Sequence, residues 1–231
     1  HCNFLLRGDE SDNDELLVRQ VANNMNVEFH CKKCKTDSYA KDNKVSIQMA
    51  ARDLRYSWFE DLKKENDCKF IATAHHANDS AETLLINLIR GTGLTGLRGI
   101  KSKEGLIIRP LIDFYKEDIV VFSKNNKIIY REDSSNLDYK YIRNNIRHTV
   151  IPNMQLINPS VVKSIVGTIN ILSNVEELYR EMLVEKKNQV IFQSDNEHVI
   201  NIDKLLIQKH PKQLLYEIIS DFGFTDLDLS L

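Results

Sequence analysis

The chain reads as an α/β protein, with a parallel sheet built by right-handed helical crossovers and then a smaller, mainly helical part. Three observations lead there. Short apolar runs of strand length alternate with segments of helical period through the first part of the chain. The run Phe70-Ile71-Ala72 gives way abruptly to the polar pair His75-His76, so polar groups gather at a strand end, where open α/β sheets bind their ligands. Beyond Pro152 the pattern becomes mostly helical.

Taken in order, residues 1–6 are short and apolar and read as a strand belonging to a larger sheet. A modest helix follows over 14–26, with Leu17, Val21 and Met25 on one face. Residues 27–30 form a short strand, and the lysine-rich 31–43 has no periodicity and reads as a loop. Residues 46–64 form a strong helix buried through Ile47, Ala50, Ala51, Leu54, Trp58 and Leu62. A strand over 68–74 leads to the two histidines. From Ser80 the period changes, and Ala81, Leu84, Leu85, Leu88 and Ile89 mark one face of an amphipathic helix. Asp79 or Ser80 caps it, and Gly91 stops it.

The glycine-dense 91–101 is a loop of tight turns. A strand over 106–109 and a helix over 115–124 follow, the helix with Ile119, Val120 and Phe122 inward. Asp133, Ser134, Ser135 and Asn136 make a turn, and a helix begins near Tyr141. The stretch 152–159, with a proline at each end, is the domain boundary. A long helix over 160–187 with its stripe at Val162, Ile165, Val166, Ile169, Leu172 and Leu178, a hairpin pairing 190–193 with 199–202, and a helix opening at Pro211 complete the chain.

The length of 231 residues at 42% hydrophobic content suits one good core and a second small domain. No apolar run approaches the roughly 20 residues that span a bilayer, and no signal-peptide pattern opens the chain. No membrane partner is expected. A net charge of -2 advertises no nucleic acid, so any RNA contact has to come from local basic patches. Of four cysteines, Cys31 and Cys34 form a single Cys-x-x-Cys. That is weak evidence for a metal or cluster, and it fits reduced thiols in a cytoplasmic protein.

Asp79 and Glu82 share the first turn of the helix after the histidines, off its apolar stripe. Alone, such a pair reads as capping acids on a solvated turn. With His75 and His76 beside it, the cluster can also hold a cationic substrate, bind magnesium, or poise an acid and a base. The histidines lack the i, i+4 spacing of a zinc protease helix. Arg52 and Arg55 lie i, i+3 on one helix face, and Arg143 and Arg147 lie i, i+4 with Lys140 nearby. By themselves both sets read as solvated basic faces.

The phrase HHANDSAETLLINLIRGTGLTGLRGI resembles the signature of the tRNA(Ile)-lysidine synthetases, a branch of the N-type ATP pyrophosphatase (PP-loop) superfamily. VSIQMAARDLRYSWF and REDSSNLDYKYIRNNIRH resemble two further segments of that family, in the same order. The resemblance implies an adenine-nucleotide α-hydrolase-like (Rossmann-like) catalytic domain over 1–152 and a mainly helical second domain with a small hairpin over 153–231. It implies ATP-dependent joining of L-lysine to C2 of the wobble cytidine of an isoleucine tRNA with a CAU anticodon. ATP adenylates the base C2 oxygen and releases pyrophosphate; the lysine amine then displaces AMP.

By the same resemblance Asp79 and Glu82 bind lysine's ammonium groups, assist deprotonation, or hold Mg2+. His75, His76, Arg52 and Arg55 lie at the nucleotide, the two arginines contacting phosphate or RNA; Arg143 and Arg147 stabilise phosphate charge or orient the amino-acid carboxylate, and with Lys140 they contact tRNA. A homodimer stays open. The family's Ser-Gly-Gly-x-Asp-Ser phosphate loop does not occur in the chain and is expected upstream of it. Asn78 stands where many relatives carry Asp, which weakens a three-carboxylate metal site. A PP-loop tRNA cytidine thiolase, supported by Cys31 and Cys34, and a non-catalytic tRNA-binding remnant are the alternatives.

Overall fold

The computed structural model describes residues 1–131, 133, 142–194 and 197–224. Lys140, the turn residues Ser134, Ser135 and Asn136, and Tyr141 lie outside the described residues.

Strand β1 (Cys2–Asn3) pairs in parallel with β2 (Lys32–Lys33), and helix α1 (Asp9–Asn24) makes the crossover between them. The helix starts earlier than its apolar spacing suggests, because Asp9, Glu10 and Asp12 load its first turn with acids that suit the helix dipole. Its expected stripe is not the buried face: Met25 is 68% exposed, and Ser11 and Ala22 are buried instead. Residues 27–30 form no strand. Asn26 adopts φ 54° and the Val27 N–H turns back to Ala22 O, so pairing begins only where Lys32 N–H reaches His1 O at 3.0 Å. The expected loop over 31–43 therefore holds β2 and a helix, α2 (Thr36–Asn43).

Helix α3 (Ile47–Glu65) is capped by Ser46, whose hydroxyl accepts from Met49 N–H at 3.2 Å. Ala50 and Trp58 anchor it. Strand β3 (Ile71–Ala72) pairs in parallel with β5 (Ile107–Ile108), with Ile71 opposite Ile107, and β4 (Lys103–Glu104) lies antiparallel on the far side of β5. Helix α4 (Ala77–Arg90) and the short α5 (Leu94–Leu97), which forms inside the expected glycine loop, connect β3 to this hairpin. Helix α6 (Lys116–Asn125) lies on the surface, with Phe122 61% exposed rather than inward.

The main core forms where α4 meets the second half of the chain. Helix α7 (Ile142–Asn145), a π-helical turn (Ile146–Val150) and α8 (Ile151–Ile157) run on from one another, so Pro152 sits inside helical structure and the break comes only at Asn158. The long α9 (Val161–Val190) follows. Ala81, Leu84 and Leu85 pack with Ile146, Ile151, Val162, Ile165 and Ile169. Each such buried leucine, isoleucine or valine contributes about 1.5–3 kcal/mol. The stripe ends one turn early: Leu88 and Ile89 are exposed, and Ile86 is buried.

Gly99 adopts φ +64°, and a Cβ there would stand 2.9 Å from Ile169 Cδ1 and 3.3 Å from Ser80 Cβ. Only glycine lets this segment pass between α4 and α9. At its far end α9 enters a second cluster, in which Val190, Leu205, Leu214 and Ile218 join the hairpin β6 (Ile191–Ser194) and β7 (Glu197–Ile200) to α10 (Ile202–Leu206) and α11 (Pro211–Ser220). No single described helix is long and apolar enough to cross a membrane.

Candidate active site

The site lies at the C-terminal end of β3, where α4 begins. His76 is the N-cap of α4, and Asp79 three residues on accepts the His76 backbone N–H through Oδ2 at 2.9 Å. Asp79 therefore caps from the third helical position rather than from the cap itself. Asp79 and Glu82 are buried, at 9% and 1% exposure, so they are not acids on a solvated turn. Two buried carboxylates need partners.

Arg147, from the π turn, provides them. Its Nε donates to Glu82 Oε1 at 2.6 Å and its Nη2 to Glu82 Oε2 at 2.9 Å, a two-pronged pair, while Nη2 also lies 3.3 Å from Asp79 Oδ1. Arg143 adds Nε at 3.7 Å from Glu82 Oε2 and donates through Nη2 to Thr83 Oγ1 at 3.1 Å. Burial works against the Arg147 charge, but the Glu82 hydrogen bonds and the two carboxylate charges hold it protonated beyond its ordinary range.

A cleft of about 370 Å³ opens beside this cluster, lined by Arg55, Tyr56, Phe59, Thr73, His75 and Asp79, among others. Its size falls within the ordinary range of small-molecule sites, roughly 300–1,000 Å³. His75 shares a 2.9 Å hydrogen bond between Nδ1 and Thr73 Oγ1. Burial pushes its pKa down, with Arg109, Arg143 and Arg52 pushing the same way against Asp79, so the imidazole is neutral at neutral pH. The Nδ1 of His76 is buried and has no hydrogen-bond partner among the described residues.

The structure thus gathers Asp79, Glu82, Arg143 and Arg147 into one network and sets Asp79, His75 and Arg55 on one cleft. Arg52 is exposed and stacks its guanidinium 4.8 Å over the Tyr56 ring. Arg55 lies 5.1 Å over Phe4. Asn78 accepts the Lys116 N–H at 2.9 Å and so caps α6 from another helix. Its position is structural, which explains why an amide serves there. Thr73, Tyr56 and Phe59 were not singled out from the sequence. Only their spacing from His75 and Arg55 hints at them.

Arg147 takes both oxygens of Glu82 and also reaches Asp79, which accepts the His76 N–H as well but borders the cleft. One such carboxylate fits a magnesium ion held mainly by phosphates and water. Among the described residues no group of three or more His, Cys, Asp or Glu forms a metal site.

The tRNA(Ile)-lysidine synthase of Bacteroides thetaiotaomicron is 42% identical over 229 residues, which cover 99% of this chain and 53% of that protein. That of Parabacteroides distasonis is 40% identical over 227 residues, 98% of this chain and 51% of its own length. The chain spans about half the length of the curated relatives it matches. Among solved structures, the U34-tRNA thiolase NcsA from Methanococcus maripaludis, with its 4Fe-4S cluster, superposes with a TM-score of 0.58 at 16% identity, covering 74% of this chain and 61% of that one. That likeness shows the fold alone, and it bears out a parallel α/β architecture. Residues 1–154 match the PP-loop domain, about two thirds of the chain, and the chain belongs to that family.

Proposed function

We propose that the chain is part of a tRNA-modifying ligase that joins L-lysine to C2 of the wobble cytidine of a CAU-anticodon isoleucine tRNA. ATP activates the base by adenylation, leaving as AMP and pyrophosphate. The observation that carries this reading is the division of labour between two carboxylates on one helical turn. Glu82 gives both oxygens to Arg147, and Asp79, held by the His76 N–H and by Arg147, is the one that lines a cleft beside a neutral histidine.

A carboxylate with free lone pairs at the edge of a half-buried cleft recognises an ammonium group, and lysine carries two. Arg147 and Arg143 supply fixed N–H donors and positive charge close by, suited to phosphate charge as pyrophosphate or AMP departs. Arg55, Tyr56 and Phe59 line the wall where a nucleotide would lie, with a guanidinium for phosphate and two rings for the base. His75, neutral at neutral pH, can accept a proton from the incoming amine. Such chemistry belongs in the cytoplasm, with tRNA and lysine as partners. The Asp79 oxygen that would take lysine is also the one a magnesium carried by ATP would take. Lysine binding measured without nucleotide or metal separates the two roles.

The test is ATP-dependent incorporation of labelled lysine into CAU-anticodon isoleucine tRNA by the full-length protein. Incorporation is expected, and it should fail when the wobble base is replaced. No incorporation by well-folded, full-length protein would overturn the ligase reading. Bound iron with sulfur transfer would support the thiolase instead, and tRNA affinity without ATP binding the non-catalytic remnant.

A further inference from the structure

Arg147 is held out toward α4 by an irregular turn. The π-helical stretch Ile146–Val150 closes with a bond from Ile151 N–H to Ile146 O, five residues back. The next residue is Pro152, which has no N–H to give to His148 O and whose ring would press on that carbonyl in an α-helix. Thr149 O takes a bond from the Asn153 side-chain amide at 2.8 Å.

The wide turn serves two faces at once. Ile146 and Ile151 are 1% and 7% exposed and lie in the same core. At 3.6 residues per turn, residues five apart point about 140° away from each other. A turn that closes on i+5 stacks them. With both isoleucines inward, Arg147 still reaches Glu82 through two hydrogen bonds, and Arg143 reaches Thr83. A regular α-helix over 142–157 would have to surrender either the burial of Ile151 or the grip of Arg147.

We propose that Pro152 is a positioning residue of the candidate active site. By withholding an N–H from His148 O it keeps the 146–150 turn open, and so keeps Arg147 on Glu82 and Asp79. The inference rests on the reading of that cluster as the reactive site. A proline inside a helix is unfavourable in itself, and unfavourable backbone is retained where surrounding structure uses it.

The test is Pro152→Ala in the full-length protein, read in three ways. The first is the Arg147 Nε–H proton resonance in arginine-labelled protein, assigned by its disappearance in Arg147→Lys. The second is the thermal midpoint, and the third is the kinetics of lysine transfer. Loss of a charge-assisted hydrogen bond should speed exchange of that proton and lower kcat by about ten- to a hundredfold, with KM for lysine changing less. The thermal midpoint should move little, because what the helix gains by losing its proline is offset by the buried Glu82 carboxylate losing its partner. Pro152→Ser, which also restores the N–H, should repeat the resonance change. An unaltered Arg147 signal in both variants would overturn the proposal, whatever the activity. A lost signal with undiminished kcat would uphold the positioning by Pro152 and remove Arg147 from the reaction.

Discussion

Arg147 clasps Glu82 with hydrogen bonds of 2.6 and 2.9 Å, although the two residues are 65 positions apart in the chain. Glu82 is almost wholly buried, so removing its charge strands a guanidinium. Glu82→Gln should cost about 2–4 kcal/mol of stability as well as abolish lysine transfer. Asp79→Asn, which keeps an acceptor for His76 N–H, should abolish transfer with a smaller loss of stability. Denaturant melts and labelled-lysine incorporation on both variants check this. Full activity in either would take that residue out of the mechanism.

Asn78 accepts a backbone N–H at the start of α6. Asn78→Asp retains the acceptor and adds charge where the helix dipole favours it, so stability should hold or rise slightly. Asn78→Ala should cost about 1 kcal/mol, as loss of a cap does. Urea unfolding of the pair would show this, and equal losses in both would refute the capping role.

Gly99 should not tolerate a side chain. Gly99→Ala adds a Cβ to a positive-φ backbone, at about 1–2 kcal/mol, and drives it into Ile169 and Ser80. Gly105 has φ +57° but open space around it, so Gly105→Ala should show the backbone penalty alone. The difference between their thermal midpoints reports the squeeze between α4 and α9.

His75 should titrate below its ordinary 6.5. Its folded pKa is depressed, so the unfolded chain binds the proton more readily. The stability this provides is present above about pH 6.5 and drains away as pH falls through the folded value. His75→Gln should flatten that part of the stability curve. Glu176, held by Arg98 at 2.9 Å and by Arg180, is depressed despite its burial, and its contribution should fade only in the more acid range, below about pH 4.5. Proton NMR of the histidines and stability measured against pH test both.

The cysteines should behave as quiet thiols. Burial pushes Cys2 up to about 11, and Cys31 and Cys34 are also raised, chiefly by burial. Cys68 is exposed. At pH 8 a thiol reagent should label Cys68 first and Cys2 and Cys34 slowly. Rapid labelling of Cys34, or iron retained in anaerobically purified protein, would revive the thiolase alternative.

The sequence alone determined the alternation of strand and helix, the helix after His75-His76, and the residue types of the site. Period and polarity are local properties, and α3, α4, α9 and α11 declare them within single stretches. Local spacing also put Asp79 and Glu82 on one turn, and Arg143 and Arg147 on another. It misjudged α1, where a run of acids outweighed apolar spacing, and 27–30, where hydrogen bonding to the N-terminal strand decided the start of pairing.

Only the tertiary structure brought the acids to the arginines, because a helix face cannot specify which distant face it will meet. That meeting turned two solvated pairs into one buried network, put Arg147 on both carboxylates with a double grip on Glu82, and set Asp79 at the cleft. The π turn was likewise invisible to a pattern built on 3.6 residues per turn. It arises where core packing of Ile146 and Ile151, the missing N–H of Pro152 and the pull of Glu82 on Arg147 are satisfied together.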